Sequence, residues 1–520
     1  MSNTATPETT GIDTATADID VHNPADGRPV GRVADHSAVS VADTIRDLRV
    51  HQPEWESIGV RARAEWIMRF QDWLVDNTAR LTDIVQSETG KTRFDAEIEV
   101  PAAIDLAKYW ARNAEAFLVD EKATPHSPIG RTKRLVKTFR PHPVVGIITP
   151  WNLPIMNPCF DAFAALLAGA AVVVKPSEVT PLSAVELGRG WAEIGAPPVF
   201  TVVTGRGATG RAVVEAVDYV QFTGSTRTGR AIAVACGERL VPYSLELGGK
   251  DPAIVLADAD IDRAAAGIVY GGLFNSGQAC ISVERVYVEA PVYDSFVSSL
   301  VAQVNELRQG QDGRDFAFDI GAMATSAQRD IVQRHVEDAC AKGARILVGG
   351  KPTGTGTFFE PTVLVDVDHS MACLTEETFG PVLPVIKVAD EAEAIRMAND
   401  STYGLSATVW TGDRSRGERV ARSLEVGAVN VNDAYANIVN FALPMGGWKD
   451  SGIGARWGGA SGIRKYCRQQ AITIPRGPAL SREPLWYPAS RIRSRVVTTL
   501  MRAVDARGWR KLPNALRRNR

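Results

Sequence analysis

The 520-residue chain contains only six cysteines, at positions 159, 236, 280, 340, 373 and 467, and no CxxC pair. His335 near Cys340 and His369 near Cys373 have no further Cys or His beside them. A disulfide framework and a zinc site are therefore disfavoured, and no metal is expected. Charge of one sign is lacking as well: the formal net charge is -2, which gives no global reason for a nucleic-acid partner. No uninterrupted apolar run is long enough to span a bilayer. Residues 1–20, "MSNTATPETTGIDTATADID", have neither a basic start nor an apolar run, so they read as a disordered leader and not as a signal peptide. The expected compartment is the cytoplasm.

What is present suits large buried cores. Hydrophobic residues make up 45% and charged residues 23%, and the length points to two or three domains. From about residue 40 to 122 apolar residues recur every three or four positions, with Gly90 as a stop, which predicts helices. "RTKRLVKTFRPHPVVGIITP" alternates basic and apolar residues before "VVGII", which predicts an exposed two-stranded arm leading into a buried strand. "AAVVVKPSE", "VFTVVTG", "DYVQFTGS" and "DPAIVLADA" then alternate with helical segments. A second series begins near residue 251 and runs through "RVYVEA", "ARILVGG", "PVLPVIKV" and "SATVWTG" to "GAVNVND". Short β-branched runs between helices predict an α/β fold with parallel sheets.

Several stretches carry chemistry. In "NSGQACI" Cys280 sits among small residues that leave its sulfur uncrowded; a thiol there is either a core filler or a nucleophile. "DYVQFTGSTRTG" sets a strand before a glycine turn and a helix, where backbone N–H groups can hold a phosphate, although Gly224 and Gly229 do not have GxGxxG spacing. In "VVVKPSEVTP", Lys175 and Glu178 follow a buried strand at the edge where α/β sheets bind ligands. "LELGGKDP" offers Glu246 beside paired glycines, a carboxylate able to reach a water or merely to cap a helix. None of the seven histidines shares a motif with Cys280, which disfavours a Cys-His hydrolase.

"PWNLP" (150–154), "KPSE" (175–178), "FTGS" (222–225), "LELGGK" (245–250), "GQAC" (277–280), "EETFGP" (376–381), "NVN" (430–432) and "PMGGWKDSGIG" (444–454) resemble, in order and spacing, the NAD(P)-dependent aldehyde dehydrogenase superfamily. The resemblance covers about residues 20–478, and stretches such as "CISVERVYVE" look like actinobacterial members described as succinate-semialdehyde dehydrogenases. It implies Cys280 as the nucleophile, Asn152 and the Cys280 N–H as an oxyanion hole, and Glu246 as the base that hydrolyses a thioester. Glutamate at 246 implies the non-acylating type. Ser225 and Gly224 would meet the cofactor pyrophosphate, Lys175 and Glu178 the adenosine ribose, and Glu377 the nicotinamide ribose; Phe379 and Trp151 complete the set. A carboxylate at 178 suits ribose hydroxyls and repels a 2'-phosphate, so NAD is expected over NADP. The implied organisation is a Rossmann-type cofactor domain (21–122 and 143–250), a second α/β catalytic domain (251–440) and a small β oligomerisation arm (123–142 and 460–480), in a homodimer or homotetramer.

For succinate semialdehyde a cation should meet the distal carboxylate, yet "WNLPIMNPCFDAF" has no arginine. Family positions imply a tunnel of Met156, Phe160, Ile281, Tyr435 and Phe441, an apolar wall that favours an uncharged aliphatic or aromatic aldehyde. The alternative is that several of these pack the core and that Arg285 or Arg456 supplies the cation. The tail, 481–520, is basic, and Ile492, Val496, Val497, Leu500, Met501 and Val504 recur at helical spacing. Such a helix suits either a neighbouring subunit or the inner face of a membrane, with Trp509 near the headgroups.

Overall fold

The structure, a computed structural model, describes residues 18–126, 128–478, 481–483, 486–505 and 511. Most of the leader read from residues 1–20, together with Trp509, lies outside the described residues. The described chain forms two compact units, one of residues up to Leu118 with Pro141–Arg468, the other of Val119–Arg140 with residues from Gln469 onward.

The first unit holds two large sheets. One has the strand order Gly452–Ile453, Tyr243–Glu246, Tyr219–Thr223, Val144–Ile148, Ala171–Lys175, Phe200–Val202. All its neighbours pair in parallel except the Gly452–Ile453 edge. The runs VVGII, AVVVK and YVQFT are buried at every position, which is why they read as continuous apolar stretches rather than alternating ones. Chain order reverses between Val144–Ile148 and Tyr219–Thr223, so the loops leaving their carboxyl ends, Thr149–Asn152 and Gly224–Ser225, face one crevice at the switch point.

The second sheet has the order Arg345–Val348, Thr362–Val365, Val382–Val388, Val283–Glu289, Asp251–Val255, Ser406–Trp410, Ala428–Val431. Here only the exposed Arg345–Val348 edge is antiparallel. Helices Ala38–Ser57, Gly59–Asp76, Thr78–Thr89 and Glu99–Leu118 occupy the region read as helical, and Gly90 ends the third of them at φ +70, a left-handed position that a Cβ disfavours.

Glu121–Ala123, Lys133–Pro141 and Cys467–Pro475 form a three-stranded sheet that belongs to the second unit except for Pro141, Cys467 and Arg468, and Arg491–Asp505 is a helix of that unit. The arm bounds read from the sequence shift here. Residues 460–464 make a helix of the first unit, where Ile463 and Tyr466 are wholly buried, and the division falls after Arg468. No helix among the described residues is long and apolar enough to cross a membrane.

Candidate active site

Cys280 follows a tight turn in which Asn275, Ser276 and Gly277 are all left-handed, at φ 53, 57 and 71. The turn is packed too closely for a side chain at 277, since a Cβ there would lie 2.2 Å from the Gly380 carbonyl oxygen. Side chains hold the two non-glycine residues in that costly region: Asn275 Nδ2 donates to the carbonyls of Asn152 (3.1 Å) and Gln278 (3.1 Å), and Ser276 Oγ to Gly321 (3.0 Å). Cys280 as a whole residue is part-exposed, whereas Cys159, Cys236, Cys373 and Cys467 are buried.

Asn152 is braced from below. Lys91 Nζ donates to the Asn152 carbonyl (2.8 Å) and pairs with Glu99 (2.7 Å), whose other oxygen accepts the N–H groups of Ile155 (2.9 Å) and Met156 (3.2 Å) at the start of helix Met156–Ala168. The Asn152 amide gives one hydrogen to the Gln278 carbonyl (3.0 Å), and its oxygen accepts from Asn157 Nδ2 (3.1 Å). The amide orientation is thereby set, and its second N–H is left for a ligand. Lys91 and Glu99 escaped the sequence reading because neither stands in a motif with Asn152.

Glu246 ends strand Tyr243–Glu246, and the segment that follows lies against Cys280: a Cβ on Gly249 would fall 2.5 Å from the Cys280 carbonyl oxygen. The Glu246 carboxyl is 2% exposed, and neither oxygen has a hydrogen-bond partner in the structure. Burial pushes its pKa up to about 8, with Arg456 and Lys465 opposing. Burial also pushes the Cys280 thiol up to about 12, with Arg456 as the main counterweight. A buried carboxyl with free oxygens is suited to accept a proton from water once it ionises.

Across the crevice, Ser225 caps helix Thr226–Arg239, accepting from the Thr228 N–H. A Cβ on Gly224 would meet the Phe222 ring at 2.6 Å, so this turn accepts only glycine and keeps the helix N-terminus open. Lys175, buried, reaches the half-exposed Glu178 at 3.4 Å. Glu377 accepts the Gly249 N–H (3.0 Å), and burial raises it to about 8. Glu284 accepts the N–H groups of Thr378 (2.7 Å) and Phe379 (2.8 Å) and pairs with Lys250 (2.5 Å), fixing the loop that sets Phe379 edge-on to Trp151 at 5.4 Å. A strand, a glycine turn, a helix N-terminus and flanking ribose-type acceptors form a cradle that fits a dinucleotide.

Of the residues read as a tunnel wall, Phe160 and Phe441 are brought together through Trp457 (4.9 and 5.2 Å), with Tyr109 beyond at 5.7 Å. Tyr435 belongs to another aromatic group, with Tyr270 (5.5 Å) and Phe274 (5.6 Å), and its hydroxyl donates to the Gly271 carbonyl (2.8 Å). Met156 and Ile281 are buried. Arg285 is fully buried and donates to the carbonyls of Lys250 (2.8 Å) and Ala398 (2.9 Å) and to the Tyr287 hydroxyl (3.1 Å). Arg456 is also buried, paired with Asp161. Among the described residues no cluster of three or more His, Cys, Asp or Glu could hold a metal ion.

Known proteins agree with this architecture. The sequence profile of the "Aldehyde dehydrogenase family" matches residues 12–472. A Mycolicibacterium smegmatis protein provisionally named succinate-semialdehyde dehydrogenase (NADP(+)) is 40% identical over 484 residues, 92% of each chain. The 4,4'-diapolycopene aldehyde oxidase of a Methylomonas species is 38% identical over 475 residues, 90% of this chain and 88% of that one. The crystal structure of a Mycobacterium tuberculosis aldehyde dehydrogenase complexed with NAD+ superposes with a TM-score of 0.85 at 33% identity, covering 90% of this chain and 96% of that one. The chain belongs to the aldehyde dehydrogenase family and is an NAD(P)-dependent oxidoreductase acting on an aldehyde.

Proposed function

We propose that this enzyme oxidises a hydrophobic aliphatic or aromatic aldehyde to its carboxylic acid, with NAD preferred. The carrying observation is that Cys280 follows a Gln278 carbonyl held by the braced Asn152 amide and lies against the segment that leaves the buried Glu246, neither of whose oxygens has a hydrogen-bond partner. Cys280, once deprotonated, adds to the aldehyde carbon, and the free Asn152 N–H and the Cys280 backbone N–H receive the developing oxyanion. The bound dinucleotide supplies a hydride acceptor, held by Gly224, Ser225, Lys175, Glu178, Glu377, Phe379 and Trp151. Glu246 then takes a proton from the water that attacks the Cys280 thioester, and the acid leaves.

The apolar substrate class rests on the engagement of both arginines. Arg285 spends its donors on main-chain carbonyls and Arg456 on Asp161, so neither is offered to a distal carboxylate, while Phe160 and Phe441 meet in an aromatic group. The Methylomonas relative, named for a long apolar aldehyde, points the same way, and the mycobacterial name points to succinate semialdehyde. Steady-state rates with hexanal, benzaldehyde and succinate semialdehyde, each with NAD and NADP, decide between them. The expected result is a higher kcat/KM for the uncharged aldehydes and for NAD, with Glu178→Ser narrowing the NAD preference by removing a carboxylate from the ribose. A ranking led by succinate semialdehyde overturns the apolar reading, and a cofactor ratio unmoved by Glu178→Ser overturns the ribose assignment.

We also propose that the tail makes a peripheral membrane contact. In helix Arg491–Asp505 the apolar residues Ile492, Val496, Leu500 and Val504 are all more than half exposed, and by helical spacing Arg491, Arg495 and Arg502 share one flank while Arg493 falls within the apolar stripe. Residues 479–520 hold eleven Lys and Arg against two acidic residues, a balance that suits an anionic bilayer. Co-sedimentation with phosphatidylglycerol-containing vesicles is expected for the full chain, reversed by salt, and lost in a chain ending at Pro478. Unchanged sedimentation of that shorter chain, together with a smaller oligomer, assigns the helix to a neighbouring subunit instead.

A further inference from the structure

Beside Glu246 lies a set of buried charges that the reaction just described does not use. Asp161, on helix Met156–Ala168, pairs with Arg456 through Nε at 3.0 Å and Nη2 at 2.9 Å, and both side chains are 1% exposed. The other Asp161 oxygen accepts from the Tyr466 hydroxyl (2.8 Å) and from Lys465 Nζ (3.4 Å), and Lys465 also donates to Gln221 (2.9 Å). Arg456 further donates to Asn157 (3.4 Å) and to Thr223 Oγ1. Thr223 is the residue directly opposite Glu246 in the parallel pairing of their strands, so the guanidinium is tied to the strand next to the carboxyl.

Counting charge in this dry space separates the two states of Glu246. With Arg456, Lys465 and Asp161 charged, an ionised Glu246 makes the set neutral, and a protonated one leaves a net positive charge in a region that solvates it poorly. Asp161 works the other way, since it neutralises cations that would otherwise favour the Glu246 carboxylate. Cys280 and, from the adjacent strand, Tyr219 also face Glu246.

We propose that Arg456, Lys465 and Asp161 act as positioning residues that set the pH at which Glu246 becomes a base for thioester hydrolysis. This rests on the reading of Glu246 as that base. The direction of each charge effect on the carboxyl, lowering from Arg456 and Lys465 and raising from Asp161, agrees with the geometry. The two cations and Asp161 should therefore move the profile in opposite senses.

The test is the pH dependence of kcat with hexanal, taken beside the pre-steady-state NADH burst. Lys465→Met is expected to shift the rising limb about one pH unit to the alkaline side, and Asp161→Asn about one unit to the acid side. Arg456→Lys, which keeps the charge, is expected to leave the limb near its original position. The burst phase should keep its own profile, because the shift belongs to hydrolysis. Limbs that do not move, or that all move one way as a loosened structure would produce, overturn the proposal. Lys465→Met is the decisive variant should the others fold poorly, since its side chain is 14% exposed and lies at the rim of the cluster. Glu246→Gln separates the two failures. Loss of the limb in that variant with no shift in the others rejects the charge set alone, and a limb retained in Glu246→Gln rejects the base assignment and the proposal with it.

Discussion

Replacing Cys280 by alanine or serine is expected to lower aldehyde oxidation by roughly 10^4-fold or more, as loss of a covalent nucleophile does elsewhere, while dinucleotide binding persists. The substitution is small and falls in a turn whose shape is fixed by others. Asn275, Ser276 and the glycine at 277 hold the backbone, and the Asn152 amide bonds the carbonyl of Gln278 rather than the thiol. Little packing is lost, so folding should survive. NADH formation with hexanal, and NAD binding followed by fluorescence quenching, measure the two halves. A variant that keeps more than a few per cent of the rate, free of contaminating wild-type enzyme, removes Cys280 from the reaction. A variant that loses both together makes its role structural.

Glu246→Gln is expected to slow turnover by about 10^2- to 10^4-fold while a rapid burst of NADH, one equivalent per site, remains. The amide keeps the shape of the side chain but cannot accept a proton from water, so the acyl-enzyme accumulates. The pH behaviour follows from the same carboxyl. Burial raises its pKa to about 8, and a base must be ionised, so kcat of the unmodified enzyme should climb with pH through that value wherever hydrolysis limits turnover. Stopped-flow absorbance gives burst and steady state in one trace. If the two fall together, Glu246 assists acylation as well, and a separate base must be sought for the water.

Local pattern alone fixes much of this protein. The runs at 144–148, 171–175 and 219–223 are five residues long, rich in β-branched and aromatic residues and apolar on both faces, which favours buried strands over a helix such as Met156–Ala168, itself buried all round but thirteen residues long. Gly90 reads as the end of a helix, and the eight ordered motifs, through the family they resemble, make Cys280, Asn152 and Glu246 the expected catalytic residues. Tertiary structure decides which polar groups are already occupied. Arg285 and Arg456 look alike in sequence as candidate substrate cations, yet main-chain carbonyls take up one and Asp161, 295 residues away, takes up the other. The Lys91–Glu99 brace under Asn152, the grouping of Phe160 with Phe441 through Trp457, and the separation of Tyr435 from them likewise depend on distant segments. The physical reason is that a strand or helix answers to periodicity within a few residues, whereas the state of a buried charge depends on every donor, acceptor and ion that packing brings around it.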